Sequence, residues 1–146
     1  MELTPHFTLE ELKKTSCGLE NEPNTRQILN LKAMAINVLE PVRELLDDKI
    51  IVHSGFRSYG VNKAVGGARN SAHLDGRACD FHPGRGHIKE AFRKISESTI
   101  PFDRVLLEYK KGSYWIHIES PKDKETPRHI ALDISGLTVA NKPQIG

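Results

Sequence analysis

The chain has 146 residues, 38% of them hydrophobic and 27% charged, and its formal net charge is +2. That length fits one domain that buries about two-thirds of its unfolded surface, and the composition is typical of a soluble globular protein. The near balance of charge argues against nucleic acid as a partner, and no stretch approaches the ~20 apolar residues of a transmembrane helix. We therefore expect a single domain over residues 1–146 that acts as a monomer, without a membrane span.

The N-terminal segment Met1–Pro5 has neither the basic region nor the apolar region of a signal peptide. The sequence therefore predicts a protein made in the cytoplasm, which reaches a cell wall only if it is released or carried by a virion. Cys17 and Cys79 are the only cysteines, so we expect two free thiols in a reducing compartment, with a bridge between them as the alternative. Cys79 is expected to point into the core.

The first 48 residues are predicted to be mainly helical. Thr8 and Glu11 have the spacing of a capping box, which starts a short helix. Apolar residues then recur at helical spacing over residues 28–46 and predict the longest helix of the chain. Pro41 lies inside that helix and is expected to interrupt and kink it, because proline lacks an amide donor. A central part, residues 49–120, follows.

The central part contains the segment Ser71–Phe81, in which His73 and Asp80 lie seven residues apart. On a regular helix this spacing is a rise of about 10 Å, too far for two ligands of one ion, so the chain must bend between them. Gly76 is the residue that permits the bend. Asp80 lies in a short apolar strand, where a buried carboxylate needs a partner. Imidazole nitrogen and carboxylate oxygen are both zinc ligands, so the pair indicates a metal site; the alternative is a loop histidine followed by a capping aspartate.

Two further segments, residues 102–109 and 114–119, are predicted strands joined by a turn-rich link. Side chains alternate along a strand, so His117 and Trp115 share one face. A hairpin brings Glu108 back towards His117, the third candidate ligand. A carboxylate near a metal that is not itself a ligand is the usual general base. Taken singly, Glu108 is better explained as a surface charge; beside a candidate metal set, the catalytic interpretation is favoured.

These elements together predict an α+β fold. A small antiparallel sheet carries the metal site and packs against the N-terminal helices and one inserted helix, residues 87–95. After residue 120 the sequence predicts a charged loop, an edge strand near residues 129–134 and a tail from Thr138 onwards.

The motifs of the central part resemble those of the M15 zinc peptidases, the group of D-alanyl-D-alanine carboxypeptidases and phage endolysins. Residues 53–81, HSGFRSYGVNKAVGGARNSAHLDGRACDF, contain the family elements S-G-[FY]-R-S, N-x-x-V-G-G and S-x-H-x-x-G-x-A-x-D. WIHIE, residues 115–119, is similar to the family's second-histidine strand, and FDRVLLE, residues 102–108, to the strand with its acidic residue. The likeness spans residues 3–120, and its opening segments resemble those of the short, phage-type members.

The resemblance implies that His73, Asp80 and His117 bind Zn²⁺. It also implies that Arg57 holds and polarises the substrate and that Glu108 is the general base. Without the resemblance, Arg57 would be explained as a structural arginine paired with its own loop.

The chain departs from the family pattern at one position. Many members carry the acidic residue three positions before the second histidine, where this chain has Tyr114. The hedgehog signalling domain, whose metal site resembles this one, has its glutamate earlier, in the position of Glu108, and Asp103 is the reserve candidate for the role. We also assign Ser71 and Trp115 to substrate binding.

The implied function is hydrolysis of a peptide bond in the stem or cross-link peptides of bacterial peptidoglycan by a zinc-activated water. Both a carboxypeptidase and an endopeptidase fit this description, and compact loops favour an open groove and the endopeptidase. The alternative is a non-catalytic protein of the same fold, stabilised by zinc, that binds cell walls or forms part of a phage virion. Hedgehog domains, which act as signalling ligands, show that such a site does not guarantee catalysis.

Overall fold

The computed structural model describes residues 1–122 and 125–137 and has a mixed α+β fold, as predicted. The tail expected from Thr138 onwards lies outside the described residues. The helices are α1 (Leu9–Leu12), α2 (Thr25–Met34), α3 (Glu40–Leu46), α4 (Tyr59–Ala64) and α5 (Ile88–Ser96). The strands are β1 (Glu2–Thr4), β2 (Phe7–Thr8), β3 (Ile50–Ser54), β4 (Ala78–Pro83), β5 (Arg104–Lys110), β6 (Ser113–Glu119) and β7 (Ile130–Asp133).

Strands β3 to β7 form one sheet in the order β3-β4-β6-β5-β7, and β1 pairs with β2 separately. The β3–β4, β4–β6 and β5–β6 pairs are antiparallel, which confirms the predicted sheet and its hairpin. β7 is the predicted edge strand, and it runs parallel to β5. The last residue of β6, Glu119, and the first residue of β7, Ile130, both lie opposite Arg104 at the start of β5.

The N-terminal helices begin where local signals place them. The Thr8 side chain accepts a hydrogen bond from the amide of Glu11 in the predicted capping box, and α1 is a single short turn. The long helix forms over residues 25–46, but a π-helical turn, Ala35–Leu39, separates α2 from α3. Pro41 follows in the first turn of α3. Because proline has no N–H to donate to a carbonyl four residues back, the ladder changes register at this point, which is the predicted interruption.

The two faces of the five-stranded sheet have opposite character. On one face Phe81, Leu107 and Ile118 are fully buried against apolar side chains of α2, the π-helical turn and α5. Cys79 also lies in this core, as predicted, and both cysteines are free thiols. The opposite face carries polar side chains of β4, β5 and β6, and the candidate site lies there. No helix among residues 1–122 and 125–137 is long and apolar enough to cross a membrane.

Candidate metal centre

The loop before β4 holds His73 in a tight turn. Residues 72–75 form one turn of 3₁₀ helix, and the Ser71 hydroxyl accepts a hydrogen bond from the amide of His73 at 3.1 Å. Gly76 ends the turn with φ of 74°. A Cβ at Gly76 would lie 2.7 Å from the carbonyl oxygen of Gln27, so only glycine fits both the backbone angle and the space. The predicted bend between His73 and Asp80 is therefore present at the predicted residue.

The imidazole of His73 is fixed in one tautomer. Its Nδ1 lies 2.6 Å from the carbonyl oxygen of Gly55, and a carbonyl only accepts, so Nδ1 carries the proton. The amide of Arg57 donates to the carbonyl of His73 in return, at 3.0 Å, which ties the two loops together. The other ring nitrogen, Nε2, is completely buried and receives no hydrogen bond from any residue that the structure describes. A buried acceptor without a donor is costly, and a cation would satisfy it.

Strand pairing brings the other two candidate ligands to this nitrogen. The β4–β6 register places Asp80 directly opposite His117. His117 Nδ1 lies 2.8 Å from Asp80 Oδ1, and His73 Nε2 lies 3.3 Å from Asp80 Oδ2. One ligand atom from each of the three residues falls within 4.8 Å of the others, and all three residues are buried. The structure thus assembles the set of three that the sequence predicted.

Burial and mutual contact set the charges of this cluster. Burial lowers the pKa of His73. Burial would raise the pKa of Asp80, but its contacts with His73 and His117 hold it well below the ordinary range. Burial would lower the pKa of His117, but hydrogen bonds to Asp80 and Glu119 raise it to about 9. Without a metal, His117 is therefore protonated at neutral pH, and a cation must displace the proton on Nδ1.

Glu119 holds the far side of the His117 ring, and the sequence reasoning missed it. Its Oε2 lies 2.7 Å from His117 Nε2, and Arg104 donates two further hydrogen bonds to the same carboxylate, at 2.8 and 2.9 Å. Burial would raise the pKa of Glu119, but these bonds lower it to about 2. The sequence does contain a signal for this contact. Glu119 lies two residues after His117 on a strand, so the two side chains lie on the same face.

Arg57 contacts the cluster directly. Its guanidinium donates to Asp80 Oδ2 at 3.1 Å, to the Ser54 hydroxyl at 3.0 Å and to Asn62 Oδ1 at 3.3 Å. Burial lowers the pKa of Arg57, and the charges of Asp80 and Glu108 oppose that effect. The arginine is thus anchored beside the candidate ligands and lies within the electrostatic field of Glu108.

The remaining predicted residues take different positions around the cluster. In the β5–β6 pairing Glu108 lies opposite Trp115, while Leu106 lies opposite His117. Glu108 is therefore a diagonal neighbour of His117 on the same face, and it is half-buried. Ser71 is buried, with its hydroxyl occupied by the turn. Asp103, the reserve base, accepts from Arg128 at 2.7 Å.

A comparison of the chain with known protein families identifies the family to which it belongs. The family described as Peptidase M15 matches residues 5–119, which is most of the chain. The chain belongs to the M15 peptidase family. A comparison with curated proteins found no match. As a member of this family, the protein is a metal-dependent hydrolase that cleaves peptide bonds.

The residues of this M15 peptidase fit a metal ion. His73 presents an unprotonated Nε2, Asp80 is ionised, and His117 is held by Glu119 so that its Nδ1 faces the other two. Carboxylate partners on the outer nitrogen of a ligand histidine fix its tautomer and orientation, which is the usual environment of a metal-bound imidazole. Two nitrogens and one oxygen leave a coordination position open, as catalytic sites require.

Proposed function

We propose that this M15 peptidase is a zinc enzyme that hydrolyses a peptide bond in the stem or cross-link peptides of bacterial peptidoglycan. The observation that carries the proposal is the buried set of His73, Asp80 and His117, with an orphaned nitrogen aimed into it. Two imidazoles and one carboxylate are a ligand set that suits zinc, since imidazole is a better ligand for zinc than for magnesium or calcium. Zinc, when bound, supplies a Lewis acid that activates water and polarises a carbonyl.

Glu108 is proposed as the general base. It shares the sheet face of His117, is half-buried, and lies opposite Trp115 in the hairpin. In this role the carboxylate accepts the proton of the attacking water and returns it to the leaving amine. The proton transfer leaves no net change on Glu108, so the carboxylate is ready for the next cycle.

Arg57 is proposed to stabilise negative charge on the substrate. Its guanidinium is fixed by Asp80, Ser54 and Asn62, so it needs little reorganisation when charge develops on the carbonyl oxygen. Trp115 and Ser71 are proposed to contribute to substrate binding. For Ser71 the contribution runs through the turn that holds His73, because its hydroxyl is already engaged there.

The peptidoglycan substrate is supported by the likeness of the SGFRS and SAHLDGRACD segments to those of wall-degrading carboxypeptidases and endolysins. The family match supports a peptide as the substrate class. We favour an endopeptidase cut, because the groove beside the cluster is open and would let a chain continue past the bond that is cleaved. Its lining includes His53, His82 and Tyr114.

The proposal is tested with purified, zinc-loaded protein and its Glu108→Gln variant. Wild type is expected to hold about one zinc per chain by elemental analysis and to release peptides from purified cell wall. Glu108→Gln should keep the zinc and lose at least about a hundredfold in hydrolysis, which is what a general base contributes. His73→Ala should lose both zinc and activity.

The matched control is Glu97→Gln, an exposed glutamate at the end of α5 that pairs with Arg93. It should retain both zinc and activity. Zinc-loaded wild type that hydrolyses no wall of several types would contradict the enzymatic proposal and favour a binding or structural role. Equal hydrolysis by Glu108→Gln and wild type would remove Glu108 from the mechanism.

A further inference from the structure

A second group of imidazoles lies beside the candidate metal centre on the same sheet face. His82 follows Asp80 by two residues on β4, and His53 lies on the neighbouring strand β3. Their rings are in contact, with centroids 4.6 Å apart and His53 Nε2 bonded to His82 Nδ1. They line an open groove of about 640 Å³ together with His87 and Lys89 from the start of α5. We call this the histidine groove.

The histidine groove offers hydrogen-bond donors. In a neutral pair, one imidazole donates and the other accepts. If His53 donates from Nε2, His82 keeps its proton on Nε2; if His82 donates from Nδ1, His53 keeps its proton on Nδ1. The pair therefore presents one spare N–H in either tautomer. His87 Nδ1 accepts the backbone amide of Lys89 at 3.3 Å, so His87 carries its proton on Nε2, which is a further donor.

The charge of the groove also favours a ligand with acceptor oxygens. Lys89 supplies an ammonium group, which lies 5.1 Å from the centre of the Tyr114 ring. Among the residues that the structure describes, none that lines the groove is acidic. Tyr114, Ile88 and Pro83 add apolar surface. Such a lining suits a ligand with acceptor oxygens, a negative charge and a short aliphatic part, which describes a carboxylate on a peptide side chain.

The distance between the histidine groove and the candidate metal centre determines how far the carboxylate would lie from the cleaved bond of a substrate. Two residues along β4 separate His82 from Asp80 by about 7 Å. An extended peptide spans at most about 3.6 Å per residue, so the same distance corresponds to about two residues of bound peptide.

We propose that the histidine groove is a specificity subsite that binds a carboxylate carried by the peptide substrate within two residues of the cleaved bond. His53, His82, His87 and Lys89 are the recognising groups. This subsite rests on the proposed peptidase function, because it defines which peptides the metal centre would receive.

The test measures binding without turnover. The probes are acetyl-D-alanyl-D-glutamic acid α-amide and its D-glutamine counterpart, which differ only in a carboxylate against a carboxamide. Isothermal titration calorimetry of the zinc-loaded protein should show roughly tenfold tighter binding of the acid than of the carboxamide. A tenfold difference in affinity is what about one charge-assisted hydrogen bond contributes in a partly exposed site. The preference should persist in the metal-free protein, which excludes direct coordination of the probe by zinc.

Lys89→Gln and His53→Gln should each bring the ratio of the two affinities towards one. The matched control, His6→Gln, removes an exposed histidine that pairs with Glu40 and should keep the full ratio. Equal binding of the two probes by wild type, or a ratio unchanged in both groove variants, would overturn the subsite. Wall hydrolysis is measured in parallel: a protein that hydrolyses wall and binds both probes equally refutes the subsite alone, whereas one that prefers the acid and hydrolyses nothing refutes the proposed function alone.

Discussion

Replacing Glu119 by glutamine should weaken zinc binding although Glu119 is not a ligand. The carboxylate uses both oxygens: Oε2 accepts from His117 and from Arg104, and Oε1 accepts from Arg104 alone. An amide has one acceptor oxygen, so one of these donors would face an NH₂ group. The His117 ring would lose its fixed orientation, or Arg104 would lose half of its support.

The magnitude follows from the role of such partners. Loss of the group that orients a ligand histidine typically costs about 10- to 100-fold in metal affinity, which is about 1.4–3 kcal/mol. A second effect opposes the first at neutral pH. Glu119 helps to raise the pKa of His117 to about 9, so its removal also weakens competition by the proton. The full loss should therefore appear only above that pKa.

The assay is competition against a chelating dye in buffered zinc, at about pH 7 and about pH 9.5. The loss for Glu119→Gln should be larger at the higher pH, while Glu97→Gln, on the exposed end of α5, should match wild type at both. Circular dichroism checks that the variant is folded. Wild-type affinity of the folded variant at the higher pH would refute the reasoning, because the ring would then be positioned without its carboxylate.

Two further predictions concern stability. In the metal-free fold the pKa of His117 is raised from 6.5 to about 9, so protonation of His117 stabilises that fold. This contribution is fully present at pH values below 6.5 and is lost as the pH rises through about 9. Urea unfolding of metal-free protein should therefore show a loss on the order of 3 kcal/mol between about pH 6 and 9.5, and a flat profile would contradict the protonated cluster. Gly76→Ala should destabilise the fold by more than Gly66→Ala. Both glycines have φ of 74°, but only Gly76 has a backbone oxygen, that of Gln27, within 2.7 Å of the added methyl group, so equal melting temperatures would be the contrary result.

Much of the candidate site was predictable because its signals are local. The bend at Gly76 follows from two ligands seven residues apart, and the capping box at Thr8 follows from spacing alone. Alternation and a turn-rich link predict the hairpin of β5 and β6, which places Glu108 on the face of His117. In each case the residues that decide the geometry are close together in the chain, so sequence reading captures them.

Contacts between distant segments were decided by the tertiary structure. The β4–β6 register sets Asp80 against His117, and no pattern within either strand specifies which residue of the other it faces. The same holds for the ion pair of Arg57 with Asp80 and for the contact of His53 with His82. The amino-acid sequence by itself determined the ligand types, their order and the bend that lets them meet. Only the packed sheet decided which atoms converge, because strand pairing depends on the free energy of the whole core and not on any one segment.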